Sequence, residues 1–326
     1  MTMTRRRLLS RLSLSASSLC LAPWPTWARE GQALRFGVIA DVHKDIMHDA
    51  DARLKTFIDH MREEQVDFVI QLGDFCIPKP ANKTFLDIWN AFPGPRYHVL
   101  GNHDTDGGYK REETVAWWGM ADRFYSFDQS GIHFVVLDGN DRPEDHAGGY
   151  PRYIANDQLD WLRQDLASTA LPTIVFVHQS VERESEGGVQ NGGAVRAVFE
   201  TANRRAGKRQ VVACFSGHHH RDYVRRINDI LYPQINSASY YWVGSAYQKV
   251  RYSAEIDTAY PMIKNTVPYK DPLFALVTID PSKGFMKIEG RQSEFVGPPP
   301  WELGGDRESW DAESLTAGIA DWKMPL

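Results

Sequence analysis

The chain has 326 residues, of which 42% are hydrophobic and 24% are charged, and its formal net charge is −5. This composition predicts a folded globular protein and excludes a disordered chain, and no transmembrane anchor is expected because no uncharged apolar run of about 18 residues follows the N-terminus. The negative charge argues against a nucleic-acid-binding surface, which needs clustered lysine and arginine.

The first 28 residues have the parts of an export signal. Arg5, Arg6 and Arg7 form a charged region, a Ser-rich and weakly apolar stretch follows, and small residues close the segment near Ala28. Paired arginines before Leu-Leu resemble a twin-arginine signal, so we predict export to the periplasm or the extracellular space. The alternative is a basic N-terminal segment with no targeting role. Loss of residues 1–28 removes four arginines and no acids, which takes the net charge from −5 to about −9.

The predicted domain, residues 33–296, opens with apolar runs of strand length that alternate with segments of helical spacing. They are 34–40, 50–64, 66–72, 83–91 and 97–100, in the order strand, helix, strand, helix, strand. Because this order forms βαβ units, we expect a first sheet that is largely parallel. Functional residues should then lie at the carboxyl ends of its strands.

A predicted hairpin, two further strands and two helices follow, the first helix capped by Asn156 or Asp157. The strands are 124–127, 132–137, 173–177 and 211–215, and the second helix is near 194–206. Four shorter alternating segments predict a second, more antiparallel sheet. These segments are 223–227, 230–235, 273–279 and 285–288. The tail, residues 297–326, contains three tryptophans and is expected to pack on the domain.

Cys76 and Cys214 each lie in an apolar run, and neither has a CxxC partner. We predict two buried free thiols in preference to a disulfide or to metal ligands. The third cysteine, Cys20, falls in the N-terminal segment.

Side chains of the types that bind metals follow the ends of the apolar runs. They are Asp41 and His43, Asp74, Asn102 to Asp104, His178, and His218 to His220. In the Asp-x-His and His-x-His pairs the ligands are two residues apart, and along an extended segment this spacing points both toward one ion. One such pair is weak evidence, whereas the whole ordered set is specific.

The ordered set of DxH, GD, GNHD, an isolated strand-end His and GHxH resembles the calcineurin-like metallophosphoesterase superfamily over residues 35–290. The resemblance implies an α/β fold, a four-layer α/β/β/α sandwich of two mixed sheets flanked by helices. It also implies two divalent metal ions, and the ligand types suit Mn, Fe, Zn or Co without choosing among them. One ion would be held by Asp41, His43, Asp74 and His220, and the other by Asp74, Asn102, His178 and His218, so that Asp74 bridges the two.

By the same resemblance, a metal-bridging hydroxide attacks phosphorus, while His103 assists the leaving group and Asp104 holds His103 in orientation. His219 and Arg221 are candidate substrate contacts. For His219 the alternative is a side chain that points away from the site, and for Arg221 it is a surface salt bridge.

The ligands do not distinguish the phosphoesterase subclasses. The aromatic run Tyr240 to Trp242 offers a stacking wall, although ordinary packing is the alternative, so we predict a small-molecule phosphodiester or nucleotide-type substrate. A phosphomonoesterase of the acid or alkaline type is the alternative. Purple acid phosphatases carry a tyrosine ligand three residues after the bridging aspartate, and Ile77 at that position disfavours this subclass. An exported binding protein without catalysis is a further alternative, and the oligomeric state stays open.

Overall fold

The computed structural model describes residues 33–304 and 315–326. The predicted twin-arginine signal and Cys20 lie outside the described residues, as does the middle of the tail. Within the described ranges, no helix combines the length and apolar character needed to cross a membrane.

The described residues form six α-helices and fourteen strands. The helices are α1 (Ala50–Glu63), α2 (Lys83–Asn90), α3 (Arg111–Trp118), α4 (Asn156–Ser168), α5 (Gly192–Ala206) and α6 (Ala254–Ala259). The first seven strands are β1 (Leu34–Ile39), β2 (Phe68–Gln71), β3 (Arg96–His98), β4 (Tyr125–Gln129), β5 (Ile132–Val136), β6 (Thr173–Phe176) and β7 (Val211–Phe215). The others are β8 (Tyr223–Ile227), β9 (Ile230–Gln234), β10 (Tyr240–Trp242), β11 (Thr266–Pro268), β12 (Ala275–Asp280), β13 (Phe285–Glu289) and β14 (Trp322–Pro325).

The first sheet has the strand order β14-β13-β12-β1-β2-β3. Strands β1, β2 and β3 pair in parallel, as their βαβ connections require, but β12, β13 and β14 add antiparallel strands beyond β1. The prediction of a largely parallel first sheet was therefore wrong. The reason is that apolar periodicity identifies a strand but does not say which sheet it joins.

The second sheet has the order β4-β5-β6-β7-β9-β8, with antiparallel pairs at its edges and parallel pairs in its centre. The hairpin between β4 and β5 is confirmed. The segments 273–279 and 285–288 were wrongly assigned to this sheet, because as β12 and β13 they pair within the first sheet. Strand β10 and strand β11 form a separate two-stranded ribbon.

The two six-stranded sheets pack face to face through alternate side chains. Phe36 of β1 stacks on Phe68 of β2, with ring centroids 4.7 Å apart, and meets Phe134 of the opposite sheet edge-on at 6.1 Å. Helices α1 and α2 cover the outer face of the first sheet, and α4 and α5 cover that of the second. The four-layer α/β/β/α sandwich of mixed sheets is thus confirmed.

Three smaller expectations have different outcomes. Cys76 and Cys214 are buried free thiols, as predicted. The predicted cap of α4 was wrong, since Ala155 holds the cap position and Asp157 accepts a hydrogen bond from Arg123 instead. In the tail, β14 adds an edge strand to the first sheet beside β13, while the proposed domain boundaries stay a prediction.

His133 of β5 links the hairpin to α4 through two carboxylates, which gives a pH-dependent contribution to stability. Its Nδ1 donates to Asp128 at 2.6 Å and its Nε2 donates to Asp165 at 2.8 Å. Burial lowers the pKa of His133, but these hydrogen bonds outweigh burial and raise it. A raised pKa in the folded state stabilises the fold fully below the unfolded pKa of about 6.5, and this stabilisation disappears as the pH rises through the folded value.

His133→Gln is therefore expected to lower the free energy of unfolding by about 1–2 kcal/mol at pH 5.5, and by less at pH 9. Urea unfolding of the wild type and the variant at both pH values measures this difference. An equal loss at the two pH values would contradict the expected charge on His133.

Candidate metal centre

The predicted ligands meet at one edge of the sandwich because the parallel strands of both sheets end there. Asp41 and His43 follow β1, Asp74 follows β2, Asn102 and His103 follow β3, His178 follows β6, and His218 and His220 follow β7. Backbone hydrogen bonds continue past the strand ends, from the Asp41 amide to the Gly73 carbonyl and from the Gly217 amide to the His178 carbonyl. These bonds fix the segments that carry the ligands.

Left-handed backbone conformations concentrate at this edge. In the described part of the chain, nine non-glycine residues have positive φ, and five of them are predicted ligands. These five are Asp41, His43, Asp74, His218 and His220, with φ between 51° and 73°. Each costs on the order of 1 kcal/mol relative to the right-handed region, so the rest of the fold must hold them in place.

Two motif glycines are required by close approach of neighbouring segments. A Cβ on Gly217 would lie 2.6 Å from Oδ2 of Asp41, and a Cβ on Gly101 would collide with the amide and carboxylate of Asp74. Glycine at these positions therefore allows the ligand segments to pack against each other.

Asp41, His43 and His220 form the first ligand group, whose ligand atoms all lie within 4.8 Å of one another. Nε2 of His43 lies 3.2 Å from Nε2 of His220, which in turn lies 3.4 Å from Oδ1 of Asp41. All three residues are buried. This arrangement of two imidazoles and one carboxylate can hold one metal ion.

Asp74, His178 and His218 form the second ligand group, again within 4.8 Å. Nε2 of His178 lies 3.2 Å from Nδ1 of His218, 3.2 Å from Oδ2 of Asp74 and 3.1 Å from Oδ1 of Asn102. The same Oδ2 of Asp74 lies 3.8 Å from Nε2 of His43 in the first group. Asp74 therefore lies between the two groups, where one carboxylate can contact two ions.

Hydrogen bonding around His178 shows that this donor set fits a cation. Nδ1 of His178 donates to the Leu72 carbonyl at 2.7 Å, which leaves a lone pair on Nε2 in the neutral ring. That lone pair faces the oxygens of Asn102 and Asp74, so acceptor atoms converge on one point. Burial lowers the pKa of His178, but Asp74 raises it to about 9, which shows how strongly this point attracts positive charge.

One histidine in each group, His43 in the first and His218 in the second, is set up as a neutral ligand. Burial holds the pKa of His43 well below its usual value, and burial together with His178 does the same for His218. Neutral imidazole has a lone pair available for a metal ion, whereas imidazolium does not.

His103 lies beside the two groups, and its orientation comes from a residue that the sequence analysis missed. Nδ1 of His103 donates to Oδ2 of Asp106 at 2.7 Å. The prediction that Asp104 orients His103 was wrong, because the buried Asp104 carboxylate accepts backbone amides of Asp74, Phe75 and Gly101 at 2.7–2.9 Å. Asp104 thus ties the GNHD segment to the segment of the bridging carboxylate. The only sequence signal for Asp106 is its position one turn after His103.

A cavity of about 330 Å³ opens onto both ligand groups and His103. Tyr150, from the loop between β5 and α4, forms one side of it, and the Tyr150 hydroxyl donates to Oδ1 of Asp106 at 2.8 Å. Tyr240, Tyr241 and Trp242 border the cavity from β10. Nothing in the Gly-rich sequence around Tyr150 indicated that this residue reaches the site.

The two candidate substrate contacts differ in position. His219 borders the cavity, and its Nε2 lies 2.9 Å from the hydroxyl of the buried Ser180. Arg221 is not among the residues that line this cavity, and its guanidinium lies over the Tyr241 ring at 5.8 Å. Of the two, His219 borders the cavity directly, and the role of Arg221 as a substrate contact stays a prediction.

Fold and site together define a class, the dimetal hydrolases built on an α/β/β/α sandwich. The calcineurin-like phosphoesterase family model matches residues 34–222, which is more than half of the chain, and the chain belongs to this family. It is a metal-dependent phosphoester hydrolase.

Solved structures show the same fold at low sequence identity. A dimetal phosphatase from Danio rerio is 16% identical with a TM-score of 0.58, and the match covers 81% of this chain and 98% of that one. GAP50, described as the anchor in the inner membrane complex of Plasmodium, is 15% identical with a TM-score of 0.51, and the match covers 79% and 84%. No curated protein sequence matches the chain significantly.

Proposed function

We propose that the protein hydrolyses a phosphodiester or nucleotide-type substrate in the 330 Å³ cavity. The observation that carries this proposal is the composition of the cavity wall, in which aromatic rings stand beside the ligand groups and His103. Metal-coordinating groups suit a phosphate, and aromatic rings suit flat organic substituents on that phosphate.

Asp41, His43, Asp74 and His220 would hold one divalent ion, and Asp74, Asn102, His178 and His218 the other. When bound, such an ion pair supplies Lewis-acid stabilisation of phosphoryl charge and an acidified water. Asp74 keeps its place because its Oδ1 accepts the His103 amide at 2.8 Å. The Asp41 carboxylate is held by the His218 amide at 3.0 Å.

His103 would serve the leaving group. Its Nδ1 is engaged by Asp106, which leaves Nε2 as the nitrogen that can give a proton to the departing oxygen. In the overall reaction, water supplies the new oxygen on phosphorus, the ester P–O bond breaks, and the leaving oxygen is protonated. The neighbouring Asp106 stabilises the protonated form of the ring.

The test compares bis(p-nitrophenyl) phosphate with p-nitrophenyl phosphate after addition of Mn²⁺, with EDTA as the control. We expect faster turnover of the diester and loss of both activities in EDTA. Faster turnover of the monoester would favour a phosphomonoesterase, and no hydrolysis of either ester would favour a binding protein. Activity on a panel of nucleotides and cyclic nucleotides then limits the range of candidate substrates.

We also propose that the enzyme acts outside the cytoplasm. Support comes from the sequence of residues 4–28 alone, with its paired arginines and Ser-rich apolar stretch. Cell fractionation of the full-length chain tests this, and accumulation of the folded enzyme in the cytoplasm would contradict it.

A further inference from the structure

Five rings form a continuous row along the wall of the cavity. In order they are Tyr150, His103, His43, Tyr240 and Trp242, and successive ring centroids are 4.7, 5.4, 4.8 and 6.4 Å apart. The two ends of the row come from separate parts of the chain, the loop before α4 and strand β10. All five residues line the same cavity.

The ends of this row are unusually exposed. In the described part of the chain, four large hydrophobic side chains are exposed, and the only aromatic ones are Tyr150 at 44% and Trp242 at 41%. Both stand at the mouth of the catalytic cavity. Tyr240 between them is buried and packs on His43 and His220, so its ring belongs to the wall that supports the ligands.

The two ends of the row differ in their position relative to the leaving-group residue. His103, the leaving-group residue of the proposed function, is the immediate neighbour of Tyr150. Trp242 stands at the opposite end, beyond the first ligand group. A group that departs toward His103 therefore reaches Tyr150, whereas a substituent that stays on the phosphorus and extends the other way reaches Trp242.

We propose that Tyr150 and Trp242 are specificity-determining residues for a phosphodiester with two flat, aromatic substituents. Tyr150 contacts the leaving substituent, and Trp242 contacts the substituent that remains on the phosphate. This inference rests on the proposed function and deepens it, because a monoester has no second substituent to contact Trp242.

Tyr150 is prepared for this role by its hydroxyl. Asp106 accepts from Tyr150 through Oδ1 and from His103 through Oδ2, so one carboxylate holds the stacking ring and the leaving-group imidazole together. A fixed ring loses little conformational entropy when it contacts a ligand. The Tyr150 ring is thus held beside His103, on the side from which the leaving substituent departs.

The test uses two diesters that share a leaving group, bis(p-nitrophenyl) phosphate and methyl p-nitrophenyl phosphate, with the metal-loaded enzyme. Both release p-nitrophenolate, but only the first retains an aromatic ring. Trp242→Ala is expected to lower kcat/KM for the bis-aryl ester about five- to a hundredfold more than for the methyl ester, as loss of one stacking contact predicts. Trp242→Phe should restore most of the difference.

Tyr150→Ala is expected to lower kcat/KM for both diesters by similar factors, because both release the same aromatic group. Tyr150→Phe, which keeps the ring and loses the hydrogen bond to Asp106, should have a smaller effect than Tyr150→Ala. Val250→Ala, an exposed apolar residue that does not line the cavity, is the matched control and should change neither rate.

For Trp242→Ala, the ratio of the two rates removes effects of folding or metal content, since these lower both rates together. Equal losses on the two diesters in Trp242→Ala would overturn the role of Trp242. Unequal losses in Tyr150→Ala would overturn the assignment of Tyr150 to the leaving group. Failure of the proposed function itself looks different, because the wild-type enzyme would then hydrolyse neither diester or would hydrolyse p-nitrophenyl phosphate faster than either diester.

Discussion

Replacing Asp74 with asparagine is expected to lower kcat/KM for bis(p-nitrophenyl) phosphate by about three orders of magnitude, or about 4 kcal/mol. Oδ2 of Asp74 lies 3.2 Å from His178 in one ligand group and 3.8 Å from His43 in the other. An amide in this position keeps the shape of the side chain but removes the charge that both ions would share. Metal analysis should therefore show fewer than two ions bound per chain.

Asp280→Asn is the matched control. Asp280 is also a buried carboxylate, but it ends β12 near the opposite end of β1, where Ile279 pairs with Leu34. This variant should keep full activity and full metal content. If Asp74→Asn retained both ions and near wild-type turnover, Asp74 would not be a bridging ligand.

His103→Asn is expected to lower kcat by about a hundredfold to ten-thousandfold while the metal content is unchanged. His103 contacts Asp106 and Tyr150 and borders the cavity, but its side chain belongs to neither ligand group. The loss should be larger for diesters with an alkoxide leaving group than for those that release p-nitrophenolate. A poor leaving group needs the proton most, whereas p-nitrophenolate departs readily without one.

Measuring kcat against the pKa of the leaving alcohol, for the wild type and for His103→Asn, separates proton donation from simple binding. His60→Asn, which replaces a histidine on α1 outside the site, is the control. It should leave the dependence of kcat on the pKa of the leaving alcohol unchanged. The same loss for every leaving group would show that His103 only stabilises charge or positions the substrate.

Much of this architecture follows from local sequence patterns. The apolar runs that became β1, β2, β6 and β7 each end in a ligand-type residue, and the carboxyl ends of parallel strands must meet at one edge. This is why Asp41 and Asp74 were expected to approach one another although they are far apart in the chain. The convergence of His178 and His218 with them, the four-layer fold and the family were predicted from the resemblance that the ordered set of motifs carries.

Features that depend on long-range packing could not be predicted in this way. Strands β12 and β13 have the same apolar alternation as β8 and β9, and only their pairing with β1 shows which sheet they join. The Asp106 carboxylate and the Tyr150 hydroxyl meet because a Gly-rich loop folds back over the site, and nothing in the local sequence signals that closure. The family resemblance implied that Asp104 orients His103, yet the Asp104 carboxylate accepts hydrogen bonds from three backbone amides instead.

The proposed hydrolysis requires that the two ligand groups hold two ions. The most direct measurement is anomalous diffraction from crystals of the full-length enzyme grown with Mn²⁺. We expect two anomalous peaks on either side of the Asp74 carboxylate, one contacting Asp41, His43 and His220, the other contacting Asn102, His178 and His218. A single peak, or none at this edge of the sandwich, would contradict the dimetal centre.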